Sequence, residues 1–195
     1  MRQANSDLQS VLMNSSRQTR GRRRLGPVGL FVLGVTSLGS GCSPSIDIKE
    51  ALEVTDITTG WYDVGLLEDG KAKLVPRISF RLHNVLEDNV SLVQLLGSFR
   101  LVLPDGTDDP EELGSATIRA IDLAGLEPGS TTIEFQMQSG LGYTGANQSR
   151  QEMMEHRLFQ DAKLSLFAKH RSDPWLKLGE YLIDRTLVLR GSFEN

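Results

Sequence analysis

Leu74, Pro76, Ile78, Phe80 and Leu82 alternate along the chain with Val75, Arg77, Ser79, Arg81 and His83. A period of two sends every second side chain to the same face, so the segment predicts a strand with one buried and one wet face. Ile133, Phe135 and Met137 alternate likewise with Glu134, Gln136 and Gln138, and Ala162, Leu164, Leu166 and Ala168 with Lys163, Ser165, Phe167 and Lys169. Pro76 has no N–H to give to a ladder, which predicts a place near a strand start or on an edge. Weaker patterns predict strands in residues 52–57, 61–66, 91–103, 116–121, 175–178 and 181–189. Glu68-Asp-Gly70, Pro104-Asp-Gly106 and Glu127-Pro-Gly129 supply the turn chemistry between them. One helix is expected: Ser149-Arg-Gln-Glu152 fits a capping box, and Met153, Met154 and Arg157 continue a helical run that should end near Phe159.

Short strands punctuated by turns, with a helix between only two of them, predict a mostly β chain over residues 47–195: an antiparallel immunoglobulin-like β-sandwich with one short helix, preceded by a cleavable signal segment. A strand ending in Asn84, a paired strand over residues 90–103, and Leu126-Glu-Pro-Gly-Ser130 before the next alternating run resemble small immunoglobulin-like domains of the LEA14 and FxLYD kind. About sixty residues carry that resemblance. It implies the sandwich and no particular function.

The first forty residues follow another rule. Val28-Gly-Leu-Phe-Val-Leu-Gly-Val-Thr-Ser-Leu38 is an uncharged apolar run; it follows Arg20-Gly-Arg-Arg-Arg24 and precedes the small residues Gly39-Ser40-Gly41. Basic, apolar, then small is the order of an export signal, and the run falls short of the ~20 residues a spanning helix needs. Leu38-Gly-Ser-Gly-Cys42 resembles a bacterial lipobox, although the expected Leu three places before the cysteine is Gly39 here. The resemblance implies cleavage between Gly41 and Cys42 and a thioether-linked diacylglycerol on Cys42, with residues 42–46 as lipidated cysteine and tether. It also implies outer-membrane sorting from Ser43, where the cell has an outer membrane. The other reading of Cys42 is a plain thiol, without a cysteine partner in this one-Cys chain. Arg22-Arg23-Arg24-Leu25 faintly resembles a twin-arginine export motif. Met13 would begin a signal of ordinary length, and N-terminal sequencing of the unprocessed precursor decides between it and Met1.

Charge divides at the same place. Residues 1–41 hold six Arg and one Asp, a net +5, while residues 42–195 hold 15 basic and 24 acidic residues, a net −9. A mature segment of that charge would be repelled by phosphate backbones, so nucleic acid is not expected as a partner.

Candidate chemistry is sparse. P-loop, nucleophile-elbow and zincin motifs are missing from the sequence, and the strand pattern disfavours a dinucleotide-binding fold. Glu152 and His156, four apart with Glu155 between them, would share a helix face and are weak metal candidates, as are Asp108 and Asp109 within the acidic loop 104–112. Arg77, Arg81 and His83 form a basic stripe that could take an anion or pair with carboxylates on a neighbouring strand. Tyr143, in Gly140-Leu-Gly-Tyr-Thr-Gly145, could offer an aromatic contact from a loop, or the segment could be a hinge. His170 and Asp173 share a predicted turn but lack a nucleophile to complete a triad. Trp61, Tyr62 and Trp175 suit either an interface or a core. Asn89-Val-Ser91 and Asn147-Gln-Ser149 match the glycosylation sequon, which the bacterial reading makes accidental.

The sequence thus predicts a membrane-anchored extracytoplasmic lipoprotein that acts without a cofactor as a binding or structural module of the cell envelope. Its expected partners are the bilayer, through acylated Cys42, and an unidentified envelope protein. That partner could add a strand to an exposed edge, with residues 74–82 and 162–168 as candidate edges. The alternatives are a metal-dependent or hydrolytic envelope enzyme using the Glu152/His156 region, and the same domain on an uncleaved signal anchor.

Overall fold

The computed structural model describes residues 46–188; Met13, the Arg-rich stretch, Gly41 and Cys42 lie outside them. The chain enters through a single helical turn, α1 (Ile48–Ala51), N-capped by Asp47. Nine strands follow: β1 (Leu52–Leu66), β2 (Ala72–Asn84), β3 (Val93–Val102), β4 (Asp108–Ile121), β5 (Phe135–Gln138), β6 (Tyr143–Gly145), β7 (Ala162–His170), β8 (Leu176–Leu182) and β9 (Leu187–Val188). A second short helix, α2 (Arg150–Glu155), lies between β6 and β7.

Two sheets form a β-sandwich. One has the order β5-β2-β1-β9, with β6 also on β2; the other runs β4-β3-β7-β8. All pairings are antiparallel except the short β1–β9 contact, which is parallel. The alternating residues meet between the sheets: Trp61, Ile78, Phe80 and Leu82 from one, Leu95, Phe99, Leu164 and Leu166 from the other. The buried core runs from Ile48 to Ile183, so the compact unit Ser43–Asn195 contains all of it. Each large side chain buried there is worth roughly 1.5–3 kcal/mol.

Several expectations are corrected. Residues 52–66 make one strand rather than two, and the acidic stretch 108–112 belongs to β4 rather than to a loop. Ile133 stands outside β5 and is exposed, because that strand begins only at Phe135. Two short helices, not one, stand among the described residues. Pro76 sits in the middle of β2, opposite Trp61. It is tolerated there because the neighbouring strand is broken: β6 pairs with residues 72–74 and β5 with residues 77–80. Pro76 C=O still accepts Ser139 N–H on that side (3.1 Å). Residues 74–82 and 162–168, expected as candidate edges, both lie inside sheets, β2 between β1 and β5/β6, and β7 between β3 and β8; the edge strands of the second sheet are β4 and β8.

Asn84 closes one end of the sandwich. Its side chain is fully buried; Nδ2 donates to Asp88 O and Leu126 O, both at 2.9 Å, and Oδ1 accepts Leu86 N–H at 3.0 Å.

Candidate functional site

Tyr143 and His156, separate features in the sequence, come together at the opposite end of the sandwich. α1 and the β1 start lie where Leu52 faces Asn84, whereas Tyr143 faces Leu74, close to the turn that joins β1 to β2. The short β6 can reach β2 because Gly142 has no side chain: a Cβ there would stand 2.0 Å from Leu74 O. Tyr143 is thereby placed on a strand, not on the expected loop.

α2 starts as the sequence predicts. Ser149 Oγ accepts Glu152 N–H (3.2 Å), and the Glu152 carboxylate accepts Ser149 N–H (2.6 Å). The helix stops at Glu155 rather than near Phe159, because His156 adopts an extended conformation and Phe159 N–H turns back to His156 O (2.8 Å). That turn drops Phe159 into an aromatic cluster. Tyr143 stacks on it at 4.5 Å, Trp61 meets it edge-on at 4.6 Å, and the Arg185 guanidinium lies 5.3 Å from its ring centre. Arg185 is held in turn by Asp161 at 2.6 Å. Arg150 and Asp63 (2.9 Å) tie α2 to β1.

These elements frame a cleft of about 280 Å³ lined by Tyr143, Thr144, Gln148, Met153, His156, Leu158 and Phe159. Its walls are aromatic and aliphatic, with an amide, a hydroxyl and an imidazole among them, a mixture that suits an apolar group with a few polar contacts. Tyr143, His156 and the neighbouring Glu152 each bond to the scaffold. Tyr143 Oη accepts Gln160 N–H (2.7 Å); burial raises the pKa of this hydroxyl, and the Gln160 bond partly opposes the rise. The backbone N–H of Ser149 holds the Glu152 carboxyl below its usual range. His156 Nδ1 accepts Leu158 N–H (3.3 Å), a backbone group and not a hydroxyl it could activate.

The remaining candidates stay apart. Glu152 and His156 do not share a helix face, since His156 has left the helix. Asp108 binds Lys163 (2.7 Å), and Asp109 accepts Glu111 N–H (2.9 Å). Among the described residues no three of His, Cys, Asp and Glu gather as a metal site. The basic stripe is dispersed: Arg77 lies on the Tyr62 ring (4.4 Å) and bonds Gln136, Arg81 stands 3.7 Å from Asp56, and His83 Nδ1 contacts Thr131 Oγ1 (3.0 Å). His170 is buried at the end of β7, 3.5 Å from Asp173. Trp61 is fully buried, whereas Trp175 lies beneath Lys169 at 5.2 Å and is partly exposed.

Gln148, Thr144 and Phe159 were not singled out from the sequence as cleft residues. The available signal was an aromatic residue at the break of a helical pattern. Comparison of the chain with protein-family models and with curated proteins finds no match. The fold and the cleft define a β-sandwich domain with an aromatic-lined recess at the end away from its first described residue.

Proposed function

We propose that the protein is a lipid-anchored, extracytoplasmic binding module of the cell envelope. The supporting observation lies in the sequence: Cys42 ends an export-type segment four residues before Ile46, the first described residue. Four residues span at most roughly 14 Å, so acyl chains on Cys42 would hold that residue close to the bilayer. The length of β2, thirteen residues or roughly 40 Å, would present the cleft away from the membrane.

At that distal end Leu66, Leu141 and Leu158 are all more than half exposed. Together with the cleft they suit an apolar or aromatic side chain of an envelope partner. A binding reading is supported by the bonds that Glu152, Tyr143 and His156 Nδ1 each make to a backbone group. No helix among the described residues is long and apolar enough to cross a membrane.

The test is the intact mass and membrane partition of the full chain beside Cys42→Ala, expressed in a bacterium. The wild type should lose residues 1–41, gain acyl mass and sediment with membranes, while the variant keeps its signal. Equal behaviour of the two would sink the lipoprotein reading, and a membrane-bound wild type of full precursor mass would assign an uncleaved anchor instead.

A further inference from the structure

The solvent-facing side of the second sheet carries a row that no part of this function uses. Arg119 faces Gln94, which faces Lys169, which lies over Trp175. At one end of the row Leu92, Gln94, Arg119, Ile121 and Arg171 line a cleft of about 260 Å³. The side chains of Arg119 and Arg171 make no hydrogen bond or ion pair with another described residue, in a segment of net negative charge.

No carboxylate lines the cleft. The two nearest along the chain are Asp122, whose Oδ1 accepts Ala124 N–H (2.9 Å) and which lines the groove on the other side of Arg119, and Asp173, 3.5 Å from His170 Nδ1. Backbone strain marks the same spot. Leu92 (φ 57°) and Arg171 (φ 52°) are both left-handed, and Arg171 N–H donates to Leu92 O (2.9 Å). Such conformations are strained in non-glycine residues, and here they fix where the Arg171 side chain starts. On its other side Arg119 borders a groove of about 570 Å³ between β4 and β5, in which Leu126, Ile133 and Phe135 are apolar.

We propose that this cleft binds a phosphate group between the guanidiniums of Arg119 and Arg171, with an apolar portion of the same ligand lying along the β4–β5 groove. Guanidinium forks match phosphate oxygens in geometry as well as charge. Three neighbouring cations, Lys169 included, repel one another and favour a ligand of more than one negative charge. The adjoining Ile133, which would otherwise stand 79% exposed, gives the apolar portion a surface to cover.

The experiment is amide NMR titration of the soluble unit, residues 43–195, with three probes: inorganic phosphate, glycerol phosphate, and a short-chain phosphatidic acid below its micellar concentration. Saturable shifts at Leu92, Gln94, Ile121 and Arg171 are expected with all three. The phosphatidic acid should also move Leu126, Ile133 and Phe135 and bind more tightly. Arg119→Gln combined with Arg171→Asn should weaken binding about tenfold or more and Arg119→Gln alone by less, whereas Arg157→Gln, the same charge change as that single variant, should leave it unchanged. If the double variant does not fold, Arg119→Gln alone, at an exposed position, carries the test. Phosphate binding without added affinity or shifts from the acyl chain would assign a soluble phosphate ester to the cleft and overturn the groove half. No saturable shift with any probe, or binding that survives loss of both arginines, overturns the site.

Discussion

Asn84 offers the sharpest test of how the sandwich closes. Asn84→Ala removes two donor bonds and one acceptor bond from a side chain with no solvent access. Leu126 O keeps its bond from Val90 N–H (3.1 Å), so most of the unsatisfied polarity falls on Asp88 O and Leu86 N–H. At about 1 kcal/mol net per bond the loss is about 3 kcal/mol, or roughly 6–12 °C in Tm for a domain of this size. Asn84→Asp keeps the shape but points a carboxylate at two carbonyl oxygens, and at pH 7 it should cost more than Ala. Burial beside carbonyls raises the carboxyl pKa in the folded state. The variant's stability deficit is therefore smallest below the unfolded pKa, where the acid is protonated and can donate one bond, and it grows as pH rises through the folded pKa. Urea denaturation of residues 43–195 at pH 4 and pH 7 measures both, with the slope m expected to stay constant. An Asn84→Asp domain as stable as wild type at pH 7 would refute the assignment of donors and acceptors at this residue.

Four further outcomes follow from the structure. Ser149→Ala should cost about 1 kcal/mol by uncapping α2. The lowered pKa of Glu152, caused first by the Ser149 N–H, means that its contribution is present above the unfolded carboxyl pKa and is lost as pH falls through the folded one; Glu152→Gln should flatten that dependence, and denaturation across pH 3–7 reads it. Gly142→Ala should cost about 1–3 kcal/mol or more, because Leu74 O blocks a Cβ, and should shift the Tyr143 and Phe159 ring resonances; an unchanged aromatic NMR spectrum would count against the close β6–β2 approach. His170→Leu should be neutral or stabilising, since both ring nitrogens are buried without a hydrogen bond; a loss above ~2 kcal/mol in urea denaturation would mean that they have a partner after all.

The cleft was only partly legible. Ser149-Arg-Gln-Glu152 is a local signal, because cap and helix lie within four residues of each other, and it is realised as read. Tyr143 and His156 could not be joined from sequence, since their proximity depends on β6 pairing with β2 seventy residues upstream and on the turn that carries Phe159 back under Tyr143. Arg119, Gln94 and Lys169 come from three different strands. Their row exists only through the β3–β4 and β3–β7 registers.

Strand identity along β2, β5 and β7, the start of α2 and the sandwich class were determined by the sequence itself, because alternation and capping act between neighbours a few residues apart. Which strand is an edge was decided only by the tertiary structure. Leu74–Leu82 looks half-wet in isolation, yet β2 ends up between β1 and the β5/β6 pair with Val75 and Ser79 buried as well. Pro76 shows the same limit. A missing N–H argues for an edge only while the neighbouring strand is assumed continuous, and here the break between β5 and β6 leaves no acceptor that needs it. Long-range pairing sets solvent exposure, and no local pattern encodes it.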